Sequence, residues 1–501
     1  MRQTGEALCC EEKRQLMKTS ATCAVRLPRM CLYALGLGFY WTWVALAFFS
    51  TPLYYADGGF SGYTLVWGSG TLTYALMLAF IVAAPKLFPA ELFGGSVTMI
   101  ISGLSMSAGS LLIILSNANA VGGLSSVGNF AGVIVFNGGS TFLILSWAKK
   151  FCELNASEVL TASCFSYIIM SCTHIVVTLC DPVVTSVLVI ALPLLSSSMG
   201  VLDRVLNLPS SSEDRITTTG IQRQFRFKIL LPLAVLFFYG ICEEVLRNLF
   251  TTGSYTPLTV GLYYNIGGGV AGVLLLVITF VLKKRPSDFL SVTGLRGILV
   301  LMALAFLLGS MLRLPVPITY LLYSTGFHML RVFAWVYVVQ ASQRGTLRII
   351  PATAITQAVI ALSATPIALL AEPVLAQAAL DNADLGIITT GLLFFMIVLV
   401  SLALNPVDLE TTWGTIPQTP TVSISAYDEK DLAFLVDDFG LTRREAEIAL
   451  LLANGRSMPR IKDDLCVSLG TVQTHVNHIY RKMDVHSRQE FLDIVAQYSA
   501  L

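Results

Sequence analysis

From residue 30 to residue 404 the chain is a succession of apolar runs, each about long enough to cross a bilayer. That pattern leaves the backbone little choice. Crossing a hydrocarbon layer of ~30 Å takes about 20 helical residues, and no water is present there to satisfy a peptide group. Each run must therefore close its hydrogen bonds within itself. Hydrophobic residues make up 55% of the chain and charged residues 13%, with a mean hydropathy of +0.72, which excludes a soluble globular chain. None of the ten cysteines forms a C-x-x-C pair and most sit inside apolar runs, so they read as small hydrophobes rather than ligands. The first 29 residues are polar and basic without a small-residue cleavage site, so no cleavable leader is expected.

Twelve spans are expected, at 30–50, 62–84, 91–116, 121–148, 158–180, 182–201, 228–246, 257–282, 295–312, 314–340, 347–371 and 385–404. With the N-terminus inside, the inner segments carry twenty lysines and arginines and the outer loops only two, Arg247 and Arg313. This bias orients the bundle with both termini cytoplasmic. The longest internal polar segment, 202–227, follows the sixth span. The expected fold is all-α, a polytopic twelve-helix bundle arranged six plus six, followed by a small four-helix helix-turn-helix domain.

Six spans, a cytoplasmic loop and six more resemble the major facilitator superfamily, whose halves are related by pseudo-symmetry. The resemblance is architectural. The family's GxxxDRxGRR signature is missing from the loop 84–92, which reads APKLFPAEL, a departure that weighs against active transport and leaves a binding cavity. Ionisable groups at membrane depth are costly and mark function. In the tenth span Ser324, His328, Arg331 and Trp335 recur at four, three and four, on one helical face. The seventh span offers Glu243 and Glu244. In the superfamily it resembles, spans one, four, seven and ten line the central cavity, which implies Tyr40, Trp41, Asn129 and Asn137 as further neighbours. The cavity candidates are thus Asn137, Glu243, His328, Arg331 and Trp335. Three roles are open for the Glu243–Arg331 combination: an internal pair, direct ligand contact, or proton coupling. His174 is expected to be a hydrogen-bonded core histidine, and Gly267–Gly269 a site of close helix packing.

Residues 405–427 hold three prolines among serines and threonines and lose the apolar periodicity, so they read as a tether. Beyond it, residues 428–501 are charged. Thr442 and Glu445 form a capping box, and Gly455 suits a C-terminal stop. Ser457 can cap a second helix and Ser468 a third, whose Val472, Val476, Ile479 and Met483 make one buried stripe. Ser487 and Glu490 open a fourth. Two short helices joined by a turn are the helix-turn-helix pattern. The segments LTRRE (441–445), LLANGRS (451–457), SLGTVQTH (468–475) and RKMDVHSR (481–488) resemble the LuxR-type family. That resemblance implies base reading by Gln473, Thr474 and Asn477, phosphate contacts from Arg444, Ser457, Ser468, Thr471 and Arg481, and dimerisation through the last helix. The domain holds nine basic and twelve acidic side chains, so DNA affinity should be modest in a monomer and steeply salt-dependent.

No nucleophile motif, phosphate-cradling loop or metal spacing is present in the sequence, which reads as a non-enzyme without a cofactor. The expected partners are double-stranded promoter DNA, the lipid bilayer, a second copy of the chain through its C-terminal domain, a small-molecule ligand and RNA polymerase. The sequence reads first as a membrane-embedded one-component transcriptional regulator, and second as a secondary transporter with a regulatory or degenerate tail. A pure membrane anchor without a ligand is a third reading.

Overall fold

The computed structural model describes residues 29–47, 60–118, 125–206, 230–252, 257–281, 292–311, 315–343, 345, 347–375, 391, 395, 438–453, 458–465, 469–485, 487, 490–492, 494 and 495. The chain divides into two compact units, Met1–Ile416 and Pro417–Leu501.

Eleven helices build the described part of the first unit. They are α1 (Arg29–Ala47), α2 (Phe60–Ala83), α3 (Ser96–Asn117), α4 (Ser125–Phe151), α5 (Ala156–Thr178), α6 (Pro182–Val205), α7 (Leu230–Thr252), α8 (Pro257–Leu276), α9 (Val292–Met311), α10 (Val316–Gln343) and α11 (Ile349–Leu375). Each coincides with an expected span to within several residues, while the twelfth span lies outside the described residues except for Gly391 and Phe395. Among the described residues, seven helices are long and apolar enough to cross a membrane, and Gly68–Ala83 is a shorter apolar stretch. Helix α7 carries three ionisable residues, Glu243, Glu244 and Arg247, which lower its apolar content. Local chemistry fixes the turns between spans. Asn155 and Glu158 form a reciprocal capping box at the start of α5, with both bonds at 3.0 Å. Asp181 caps α6 with Pro182 in its first turn.

The packing repeats with the period of a half. Helix α2 packs against α11 and α8 against α5, so raising each helix number by six, or lowering it by six, turns one pair into the other. The pairs α3–α4 and α9–α10, and α2–α4 and α8–α10, obey the same rule. This is the relation expected of two six-helix repeats.

Small residues let these helices approach. The run Gly267–Gly269 behaves as expected. A Cβ on Gly267 would strike the Ser324 hydroxyl and lie 3.0 Å from the Thr325 backbone nitrogen, and one on Gly269 would lie 2.6 Å from Ser171. The run therefore seats α8 against α10 and α5 at once. At one end of the first half, Asp203 receives three donors: Arg29 Nε at 2.8 Å, Lys150 Nζ at 3.0 Å and the Tyr33 hydroxyl at 2.9 Å. Arg29 and Lys150, two of the twenty inner charges counted above, are buried in this cluster. Arg247 also departs from its reading as an outer-loop residue. Helix α7 runs on to Thr252, and Arg247 is buried within it, bonded through two nitrogens to Glu244. His174 is fully buried as expected, but neither ring nitrogen has a hydrogen-bond partner among the described residues. At the end of α10, Gln343 Nε2 donates to the carbonyls of Cys152 (3.1 Å) and Leu154 (2.5 Å), tying the second half to the turn between α4 and α5.

The second unit contains α12 (Arg443–Ala453), α13 (Met458–Leu465) and α14 (Leu469–Lys482). Leu441, Ala446, Ile448, Leu452, Ile461, Val472, Val476, Ile479 and Met483 share its core with Phe491 and Val495. The expected stripe of α14 is therefore the buried one. Glu490 N donates to Ser487 Oγ at 3.2 Å and residues 490–492 are helical; the rest of the expected fourth helix lies largely outside the described residues. Helix α14 ends with Asp484 in the left-handed region (φ 53°) and Val485 N bonded to the Tyr480 carbonyl at 2.9 Å, a Schellman-type closure.

Replacing Gly267 by Val should force α8 and α10 apart. We expect a loss of about 1–3 kcal/mol, read as a lowered thermal midpoint of the purified protein in detergent, with Gly297→Val, where nothing lies within 4 Å of an added Cβ, nearly neutral.

Candidate functional sites: a membrane cavity and a DNA-reading face

The membrane unit encloses a cavity of about 120 Å³, lined by residues of α1, α2, α4, α5, α7, α8, α10 and α11. Tyr40, Trp41, Tyr74, Tyr264 and Phe327 give it aromatic walls, and Asn137, Glu243, Arg247, Arg331 and Gln357 give it polar points. A smaller chamber of about 10 Å³ shares Trp41, Arg331, Gln357 and Ile360 with it and adds Tyr167, Trp335 and Thr353.

Of the residues singled out from sequence, Asn137, Glu243 and Arg331 line the larger cavity. Asn137 Nδ2 donates to the Gly70 carbonyl at 3.0 Å, pinning α4 to α2. Glu243 accepts the Tyr320 hydroxyl at 2.8 Å. Arg331 donates to the Tyr264 hydroxyl at 3.0 Å, and its guanidinium lies 4.7 Å from the Trp41 ring centre, a cation–π contact. No ion pair joins Glu243 to Arg331 among the described residues; the pairing in this region is Glu244–Arg247.

His328 and Trp335 lie elsewhere on the same stripe. His328 is fully buried, with Nδ1 2.7 Å from the Ser324 carbonyl, to which it donates, and its ring is 4.4 Å from that of Tyr264. It backs a cavity-lining ring and is not itself part of the lining. Trp335 lines the smaller chamber and meets Phe151 edge-on at 5.5 Å. Asn129, also considered from sequence, donates to Asn117 at 2.9 Å, away from the cavity residues. Sequence reasoning missed Arg247, Tyr264, Gln357 and Thr353. Only Arg247 had a readable signal, its three-residue spacing from Glu244 on one helix.

In the second unit the capping box at α12 is reciprocal: Thr442 N donates to Glu445 at 2.8 Å and Glu445 N to Thr442 Oγ1 at 3.3 Å. Lys482, at the end of α14, reaches the same carboxylate at 2.7 Å and the Gly440 carbonyl at 3.0 Å. One buried carboxylate thus holds the start of α12 against the end of α14. Burial pushes the Glu445 carboxyl up, but Lys482 and the Thr442 N–H and O–H outweigh it and hold it at about 2. Opposite the buried stripe, Thr471, Gln473, Thr474, Asn477 and Arg481 are all exposed. Gln473, Asn477 and Arg481 follow at intervals of four along one face. Arg444 is exposed on α12 but engaged, with Glu447 at 2.7 Å and the Leu465 carbonyl at 3.2 Å. Ser457 and Ser468 lie outside the described residues.

A body of apolar helices and a small C-terminal helical unit define the class. Residues 440–495 match the family of bacterial regulatory proteins of luxR type. The chain is 40% identical over 50 residues to the transcriptional regulatory protein LiaR of Bacillus subtilis (strain 168), covering 10% of this chain and 24% of that protein. It is 44% identical over 55 residues to the uncharacterized response regulatory protein YgeK of Escherichia coli (strain K12), covering 11% of this chain and 37% of that one. The chain thus spans well under half the length of these relatives. The structure is similar to that of a bacterial homologue of the iron transporter ferroportin in its outward-facing state, with a TM-score of 0.51, 12% identity, and coverage of 77% of this chain and 98% of that one. A second structure of that homologue gives 0.50 at 13% identity, covering 77% and 99%. This likeness is one of fold alone. The C-terminal unit carries a LuxR-type DNA-binding domain.

Glu445 makes the second unit acid-sensitive. Its carboxyl is held below the ordinary value of 4.5, so its contribution is complete above that pH and is lost as pH falls towards 2. In residues 417–501 expressed alone, Glu445→Gln should lower stability by about 2 kcal/mol at pH 7. It should also flatten the loss between pH ~4.5 and ~2 that the parent shows in denaturant melts.

Proposed function

We propose that the protein is a membrane-embedded one-component transcriptional regulator. Its transmembrane bundle binds a small molecule, and its LuxR-type domain binds promoter DNA as a dimer on the cytoplasmic face of the inner membrane. One observation carries this reading: a domain matched to DNA-binding regulators, with an exposed polar face on its reading helix, shares a chain with a transporter-like body that encloses an arginine-bearing cavity. The absence of the GxxxDRxGRR signature favours sensing over transport.

In mechanistic terms, Gln473, Thr474 and Asn477 address base edges in the major groove. Glutamine and asparagine suit adenine, which offers one acceptor and one donor there. Thr471 and Arg481 hold phosphates, joined by Ser457, Ser468 and by Arg444 once it exchanges Glu447 for DNA. Residues 405–427 tether residues 428–501 to the bundle (30–404), with residues 1–29 and 202–227 on the same side of the membrane. Ligand in the cavity, with Asn137, Glu243, His328, Arg331 and Trp335 as its candidate contacts and supports, biases the bundle between two states and so alters the pairing or exposure of the tail. RNA polymerase is a partner at the promoter.

The test is DNA binding by the full-length protein in nanodiscs, using DNA upstream of its own gene and neighbouring genes across a salt series. Asn477→Ala or Gln473→Ala should cost about 1–3 kcal/mol and relax base preference, whereas Arg481→Ala should weaken all sequences alike and lower the salt slope by about 1. A folded, dimeric protein without specific DNA binding would overturn the regulator and turn attention to substrate uptake.

A further inference from the structure

Three buried donors around the smaller chamber have no acceptor among the described residues: the indole N–H groups of Trp41 and Trp335 and the hydroxyl of Thr353. Their side chains belong to residues only 6%, 7% and 2% exposed. A buried donor left unmade costs about 1–3 kcal/mol, so native structures rarely gather several around one space without a use. Thr353 stands out from its neighbour Thr356, whose hydroxyl takes the ordinary helical outlet and donates to the Ala352 carbonyl at 2.9 Å.

Arg331 adds a permanent positive charge to the same wall. Its one hydrogen bond goes to a neutral hydroxyl, that of Tyr264, and no carboxylate lies within ion-pair distance of it among the described residues. A guanidinium has five N–H groups, and most of these are uncommitted. The chamber's lining thus includes three donors without an acceptor and one cation, and no carboxylate among the described residues. Glu243 does not line it. It lines the larger cavity, where Tyr320 already donates to it and Arg247 and Arg331 are its electrostatic neighbours. A cationic ligand group would meet that surplus of positive charge.

Size selects among anions. About 10 Å³ is room for roughly one water-sized group, enough for a carboxylate oxygen and too little for a tetrahedral phosphate or sulfate. Arg331 and Trp41 also line the larger cavity of about 120 Å³, which has aromatic walls and is somewhat smaller than the ~150 Å³ of an engineered apolar cavity that takes up benzene.

We infer that the bundle binds a small monocarboxylate with a compact apolar or aromatic body. The carboxylate is held by Arg331, Trp41, Trp335 and Thr353, and the body lies among Tyr40, Tyr264 and Phe327. This rests on the reading that the bundle binds a small molecule, and it names the chemical class.

The test uses the full-length protein in nanodiscs, with acetate, butyrate, benzoate and phenylacetate as probes and acetamide, butyramide, benzamide and phenylacetamide as their neutral counterparts. Binding is read by tryptophan fluorescence and by the shift in thermal midpoint. At least one acid should bind ten times or more tighter than its amide. Arg331→Gln should abolish that preference, Arg331→Lys should keep part of it, and Trp335→Phe, which retains a ring but removes the donor, should weaken the acid severalfold. Amides binding as tightly as acids, no acid binding at all, or an acid preference unchanged in both Arg331→Gln and Trp335→Phe would overturn the assignment. The same nanodiscs are then tested for DNA binding. Acid binding that leaves DNA affinity unchanged upholds the ligand class and overturns only the sensing mechanism.

Discussion

Helices in a bilayer gain little from hiding apolar side chains from one another, because lipid is as apolar as leucine. Association has to come from close contact and from polar groups that lipid cannot satisfy. The first unit shows both. Glycines face backbone or hydroxyls on the partner helix, as Gly109 faces the Gly132 carbonyl and the Phe136 nitrogen, and Gly272 the Cys164 carbonyl at 2.6 Å. Polar groups close off the rest: Trp147 donates to Ser196 at 3.1 Å, and Ser196 passes its own hydrogen to the Gly36 carbonyl. Asp203 gathers Arg29, Lys150 and Tyr33 in one place. Breaking such a cluster by removing one partner costs more than the cluster itself contributes, because an unpaired charge is left behind.

Within a body held in this way, Arg331 is the exception. Arg29, Arg247 and Lys150 each have a carboxylate partner, while Arg331 has a phenol and the face of an indole. Arg331 instead faces a cavity at the junction of the two halves, where Glu243 is an electrostatic neighbour but not an ion-pair partner among the described residues. The polar residues around it come from both repeats, Trp41 from α1 and Gln357 from α11. Any occupant of the cavity therefore touches both halves.

Much of this could be read before the fold was known. The apolar runs locate α1 to α11 because a spanning helix must be continuous, and the inward stripe of α10 follows from helical spacing alone. The capping box at Thr442 and Glu445 and the stripe from Val472 to Met483 were equally legible, being local. Failures arose where the answer depended on a distant neighbour. Arg247 looks like an outer-loop charge until Glu244 neutralises it and α7 runs on past it. Arg29 and Lys150 read from sequence only as inner charges, while their buried pairing depends on Asp203, far along the chain on α6. His328 shares the face of Arg331, but the ring of Tyr264 from α8 packs against it beside the cavity, a placement no spacing rule contains. Thr353 carries no local mark at all. Its meaning lies in an acceptor it does not have.

The hydrogen bonds at Gln343 give α10 the mechanics of a lever. Arg331 and Gln343 stand on the same helix, roughly 18 Å apart by the helical rise. Gln343 grips two carbonyls of the other half, at Cys152 and Leu154. A tilt of about 5° pivoting near Arg331 carries the far end of the helix roughly 1.5 Å, more than hydrogen bonds of this length can stretch. A tilt of that size would therefore break both bonds at Gln343, so the two carbonyls at the turn between α4 and α5 hold the end of α10 in one orientation.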